Sequence, residues 1–127
     1  MSDCSQVEQL VKELHAARLA GDLERLCRVF SPDARLRIAG SSDGKPIAID
    51  ASRIARIRPW LSILVKTFRL RGYKLLSLTI EGTSAAAHWR VDIESKITGI
   101  SIPTELVDLI EVRNGQITSQ IEFFVPC

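Results

Sequence analysis

Two carboxylates near the end of the 127-residue chain, Asp108 and Glu122, are the residues best suited by type and spacing to do chemistry. They lie on successive strand-like stretches, Ile102–Val112 and Gln116–Val125, joined by Arg113-Asn114-Gly115. Asn-Gly between alternating segments is a strong hairpin signal. Side chains alternate along a strand, so Gln116, Thr118, Gln120, Glu122 and Phe124 share one face. Ile117, Ser119, Ile121, Phe123 and Val125 share the other. Leu106, Asp108 and Ile110 likewise fall together. If the hairpin pairs Val112 with Gln116, Asp108 lies opposite Gln120 and Leu106 opposite Glu122. The carboxylates are then diagonal neighbours, roughly 7–8 Å apart at the backbone. In an apolar cavity both pKa values would rise, and one carboxyl could be neutral at about pH 7. That suits proton transfer or stabilisation of a developing oxyanion. The same groups could instead hydrogen-bond to each other, to Gln120 or to water and serve no reaction.

Metal and nucleotide chemistry have no such foothold. The sequence contains no H-E-x-x-H, clustered metal ligands, G-x-S-x-G or phosphate-cradling glycine loop, so no cofactor is expected. Three widely spaced cysteines, Cys4, Cys27 and Cys127, indicate neither a disulfide framework nor a zinc site. Hydrophobic residues make up 46% and charged residues 25%, an ordinary globular balance. No apolar run approaches the roughly 20 residues needed to span a bilayer. Met1-Ser2-Asp3-Cys4 has neither a basic nor an apolar region, so no export signal is read and the expected compartment is cytoplasmic.

The net charge of +2 is unevenly spread. Arg53, Arg56, Arg58, Lys66, Arg69, Arg71 and Lys74 lie between Asp50 and Glu81 with no acid among them. Such a segment is either a phosphate-binding stripe or a solvated face balancing acidic neighbours. The second is expected, because no exposed aromatics interleave the cations as single-strand binding requires. Nucleic acid is therefore an unlikely partner.

The elements that must position these groups can be read in order. Ser5-x-x-Glu8 is a capping-box pattern, and Val7, Leu10, Val11, Leu14 and Ala17 recur at helical spacing. Gly21 ends that helix and Asp22 can cap a second, whose apolar face is Leu23, Leu26, Cys27 and Phe30. Ser31-Pro32-Asp33 stops it. Ala34–Ala39 and Pro46–Ile49 read as short strands around a turn-rich loop. Ser52 can cap a third helix with Ile54, Ile57, Leu61, Leu64 and Phe68 buried, kinked or divided at Pro59. From Lys74 the period becomes two, over Lys74–Glu81, Ser84–Lys96, Ile102–Val112 and Gln116–Val125. Short turns between them predict an antiparallel meander, and one α+β domain covers residues 1–127.

This layout resembles the nuclear transport factor 2-like superfamily, and within it SnoaL-like proteins. The residues carrying the resemblance are Ala20-Gly21-Asp22-Leu23, Phe30-Ser31-Pro32-Asp33-Ala34, Thr104-Glu105-Leu106-Val107-Asp108, Asn114-Gly115-Gln116-Ile117 and Glu122-Phe123-Phe124. The resemblance implies three helices on a strongly curved, cone-shaped antiparallel sheet that encloses a pocket. It also implies a homodimer through the outer sheet face. Relatives include ketosteroid isomerase, limonene-epoxide hydrolase, scytalone dehydratase, polyketide cyclases and members with no known catalysis, so fold alone does not fix function.

By the same resemblance the Glu122 face looks inward. Glu122 matches a catalytic aspartate of the epoxide hydrolase, and Asp108 matches the acid that hydrogen-bonds the isomerase's oxyanion. Arg90-Val91-Asp92 reproduces an arginine–aspartate pair of the epoxide hydrolase. Its spacing to Gly99 is one residue short, however, and one residue reverses the face. Counting from Gly99 puts Trp89, Val91 and Ile93 inside and His88, Arg90, Asp92 and Glu94 outside. Four polar alternates are costly to enclose, which favours that register; a β-bulge would restore the other, with a polar site at Arg90 and Asp92. Leu36 and Ile38 stand where relatives keep a base or water-holding groups, and Leu14 stands in place of the isomerase's tyrosine. His15, one residue on, is a candidate proton relay or a satisfied helix histidine. The expected ligand-binding wall is Leu14, Ile38, Trp60, Trp89, Val91, Leu106, Ile110, Gln120 and Phe124. The expected function is cofactor-independent acid–base chemistry on a small apolar, carbonyl-bearing or cyclic molecule by Asp108, Glu122 and His15. The alternative is a non-catalytic binding module.

Overall fold

A computed structural model describes residues 3–42 and 44–127. The elements run α1 (Asp3–Ala20), α2 (Leu23–Arg28), β1 (Phe30–Ser42), β2 (Lys45–Ser52), α3 (Ile54–Thr67), β3 (Phe68–Glu81), β4 (Ser84–Ser95), β5 (Ser101–Arg113) and β6 (Gln116–Pro126). The six strands form one curved, open sheet in the order β2-β1-β6-β5-β4-β3. Every pairing is antiparallel except β1 with β6, which is parallel. That pairing brings the first hairpin against the last strand. The three helices pack on the sheet, α1 against β3 and β4 and α3 chiefly against β1 and β2.

The helix ends follow local chemistry. Gly21 takes φ +66°, and the Gly21 and Asp22 N–H groups donate back to Arg18 and Ala17, closing α1. The Asp22 carboxylate accepts from the Arg25 N–H and starts α2. Ser5 lies inside α1 rather than at its cap, because the helix already runs from Asp3. Arg53, at φ +76° and without a side-chain cap bond, precedes α3 in place of Ser52. Pro59 sits within α3 without dividing it.

Strands β1, β2 and β3 run several residues beyond the lengths expected from sequence. Phe30 belongs to β1, not α2, since the Gln116 amide and the Ile117 N–H tie the Val29–Phe30 carbonyls to β6. Gly40 and Ser41, which look like loop, are held extended by pairing with Ile47 and Pro46. Phe68 opens β3 instead of closing α3, and Phe68–Arg71 pair with β4 from Ser95 to Asp92. Two register shifts, with Gly72 at φ +67°, carry β3 past Tyr73 and conceal its continuity in the sequence.

Between β5 and β6 the turn Asn114-Gly115 has positive φ at both residues, as a two-residue hairpin demands. Arg113 pairs with Gln116 and Val112 with Ile117, but Glu111 pairs with Ser119. Thr118 is therefore an extra residue on β6. This bulge turns Ile117 inward to complete burial, where simple alternation places it outside. With the Arg113–Gln116 pairing at the turn, it also sets Asp108 directly opposite Glu122, Ile110 opposite Gln120 and Leu106 opposite Phe124. The carboxylates are thus not diagonal, as expected from a Val112–Gln116 pairing. The even register shift keeps every downstream side chain on its expected face.

The core has two parts. The larger joins α1, α2 and α3 to β1 and one end of the meander through Val11, Leu14, Leu26, Leu36, Ile57 and Ile117. The smaller holds Trp89, Val91 and Leu106, with Leu19, Leu70, Tyr73, Ile93 and Phe124 partly buried around them.

Candidate functional site

Among the described residues, five buried polar side chains lie in the interior: His15, Thr104, Asp108, Gln120 and Glu122. Thr104 bonds only its own strand, through the Ile102 carbonyl. The other four form one cluster with Trp89, Tyr73 and Arg18. His15 and Arg18 are three residues apart on α1, so the helix period aims both at the sheet. Asp108 comes from β5, Gln120 and Glu122 from β6, Trp89 from β4 and Tyr73 from β3.

Asp108 is fully buried, and three N–H donors converge on it. His15 Nε2 donates to Oδ2 over 2.9 Å, and Trp89 Nε1 donates to the same oxygen over 2.8 Å. Gln120 Nε2 donates to Oδ1 over 3.1 Å. Because Nε2 faces a carboxylate, Nδ1 of a neutral His15 is the acceptor, and the Tyr73 hydroxyl donates to it over 2.7 Å. The result is a line of hydroxyl, imidazole and carboxylate. The rings are in contact, with centroids 4.6 Å apart for His15–Trp89, 5.5 Å for His15–Tyr73 and 5.7 Å for Tyr73–Trp89. Burial pushes the Tyr73 phenol above its ordinary value, and the Asp108 charge adds to the effect.

Glu122 accepts a hydrogen bond from Arg18, whose guanidinium carbon lies 5.6 Å from the Trp89 ring centroid. Burial raises the Glu122 pKa to about 7, against the lowering pull of Arg18 and with Asp108 raising it further. Desolvation wins because the carboxyl is only 3% exposed, so water cannot share its charge. Near neutral pH it is both proton donor and acceptor.

The remaining expected wall residues divide. Trp89, Val91, Leu106 and Ile110 are buried on the inner face, Phe124 is partly buried beside them, and Leu14 and Ile38 are core. Ile38 pairs with Glu122 across β1 and β6. Trp60 is not with them. It is 40% exposed, roughly 100° around α3 from buried Leu61, and lines a surface cleft of about 580 Å³ with Asp50, Arg53 and Arg56. Arg90 and Asp92 are exposed on the outer face, because β4 and β5 pair without a bulge from Ser84 to Glu94. They form no polar site with Glu122.

Arg18 and Tyr73 escape a reading by sequence. Arg18 carries a usable signal, three residues after His15 and one turn beyond Leu14, but a terminal-turn arginine ordinarily reaches solvent. Tyr73 follows a glycine within a run of cations and has no periodicity to place it. Among the described residues no three His, Cys, Asp or Glu side chains come together as a metal site. None of their helices is long and apolar enough to cross a membrane.

No curated protein matches the sequence. Solved structures do match in shape. A candidate isomerase from Bacillus subtilis superposes with a TM-score of 0.85 at 16% identity, over 98% of this chain and 90% of that one. A candidate SnoaL-like polyketide cyclase from Jannaschia sp. CCS1 gives 0.77 at 17% identity, over 94% and 85%. An epoxide hydrolase from M. tuberculosis, described as LEH-like, gives 0.74 at 12% identity, over 95% and 84%. At these identities the likeness is one of fold. The family model of the SnoaL-like domain matches residues 11–120, and the chain belongs to that family.

Proposed function

We propose that this protein binds a small, largely apolar, carbonyl-bearing or cyclic molecule between α1 and the inner sheet face and transforms it by acid–base chemistry. The observation that carries the reading is the directly opposed Asp108–Glu122 pair, sunk in an apolar interior and met by His15 and Arg18. Glu122, poised at about 7, takes a proton from the carbon beside the carbonyl and returns it at another position. Tyr73, the partly buried member of the Tyr73–His15–Asp108 line, turns its hydroxyl from His15 Nδ1 to the ligand's oxygen and hydrogen-bonds the developing oxyanion. Such chemistry needs no cofactor.

Proton–deuterium exchange beside the carbonyl of a panel of cyclic ketones and β-ketoesters, followed by NMR in D2O, tests this. Glu122→Gln and Asp108→Asn are each expected to slow exchange by about a hundredfold or more. Activity that survives both within about threefold ends the proposal.

A second reading, a module that sequesters its ligand, is favoured by buried Leu36 and Ile38 on the strand beside Glu122. It predicts saturable binding without exchange. A homodimer through the outer sheet face is supported by exposed Leu109, Phe123 and Val125 there. Light scattering that gives the single-chain mass, 14.1 kDa, at about micromolar concentration or above would count against it.

A further inference from the structure

Taking the interior as a ligand site, as proposed above, Arg18 indicates which class of ligand it takes. Among the charged members of the cluster Arg18 is the one that reaches solvent, with its side chain 11% exposed against 3% for Glu122 and none for Asp108. A guanidinium has five donors, and among the described residues only one hydrogen bond from Arg18 is formed, to Glu122. The guanidinium carbon lies 5.6 Å from the centroid of the buried Trp89 ring, around which Leu19, Leu70, Tyr73 and Phe124 pack, partly buried. A planar fork of free N–H groups near a partly buried apolar rim fits a two-oxygen anion carried on an apolar body. Burial holds Glu122, the sole counter-ion in contact, toward its protonated form. An arginine at the solvent edge of the cluster, with one counter-ion and donors to spare, favours an anionic partner.

We propose that the ligand carries a carboxylate, bound through the free N–H groups of Arg18, with its apolar body against the partly buried Tyr73 and Phe124. Glu122 then competes with the ligand for Arg18 when ionised and makes room when protonated. The charged or titratable groups around Glu122 are Arg18 and His15 from α1, Asp108 from β5 and, beyond His15, Tyr73 from β3; Ile38 of β1 and Trp89 of β4 add no charge.

The test is titration calorimetry with 2-naphthoate and benzoate and, as neutral isosteres, their primary amides. Each carboxylate is expected to bind at least about tenfold tighter than its amide at about pH 6.5. That advantage disappears in Arg18→Gln. Should Arg18→Gln fold poorly, the double variant Arg18→Gln/Glu122→Gln pairs two neutral amides and serves instead. Carboxylate affinity should fall up to tenfold per pH unit above about 7, and Glu122→Gln should abolish that dependence. The proposal is overturned if the amides bind as well as the acids, if the preference survives removal of Arg18, or if neither acid binds saturably up to roughly 5 mM. Deuterium exchange that persists alongside any of these results leaves the acid–base reading standing, so the two fail separately.

Discussion

Replacing Glu122 by glutamine should reshape the dependence of stability on pH. The carboxyl has an ordinary pKa of 4.5 and is raised to about 7 in the folded chain. An acid whose pKa is raised on folding binds its proton more tightly in the native state. Between the two values the native state therefore carries more protons than the unfolded one, and stability falls as pH rises. The loss begins near 4.5, levels off above about 7, and amounts to about 3 kcal/mol at about 1.4 kcal/mol per unit. Roughly 2.5 kcal/mol of it falls between about pH 5 and pH 8. Glutamine keeps the volume and still accepts from Arg18 but cannot ionise, so it lacks this term. Urea denaturation of both proteins across that pH range measures the difference, which should move in the variant's favour by about 2.5 kcal/mol. A difference constant within about 0.5 kcal/mol would mean that Arg18 offsets the desolvation, and an opposite slope would mean that the ion pair dominates. Either result refutes the account of Glu122 as a poised acid.

Tyr73 is the only tyrosine, so the phenolate absorbance of the folded protein reports on it alone. Its titration midpoint should lie above 10, and a midpoint at or below 10 would contradict its burial beside Asp108. Gly40→Ala should destabilise by about 1–3 kcal/mol in the same urea assay, because a β-carbon there would stand 2.6 Å from the Phe124 ring and carbonyl. Unchanged stability would mean that β1 and β6 separate easily at that end.

Much of the site was legible from local signals. The Asn114-Gly115 turn and the alternation on either side of it are enough to put Asp108, Gln120 and Glu122 on one face. The unbroken spacing from Gly99 likewise put Trp89 and Val91 inside and Arg90 outside. What was illegible was pairing. The Arg113–Gln116 pairing at the turn and the Thr118 bulge each move Glu122 one residue along β5, together converting a diagonal neighbour into a facing one, and nothing in Gln116-Ile117-Thr118 marks the bulge. Tyr73 was hidden because Gly72 and two register shifts interrupt β3, whose pairing with β4 resumes beyond the break.

By itself the sequence determined the helix ends at Gly21 and Asp22, the meander and its turns, and the face on which two carboxylates would sit. These depend on φ, on hydrogen bonds spanning a few residues and on the two-residue period of a strand. Only the tertiary structure decided which groups meet. His15 reaches Asp108 across 93 residues and Arg18 reaches Glu122 across 104, each brought close by the docking of α1 on the sheet. Whether Glu122 holds its proton near neutral pH was decided there too. Desolvation depends on everything packed around a group, and no span of neighbouring residues records it.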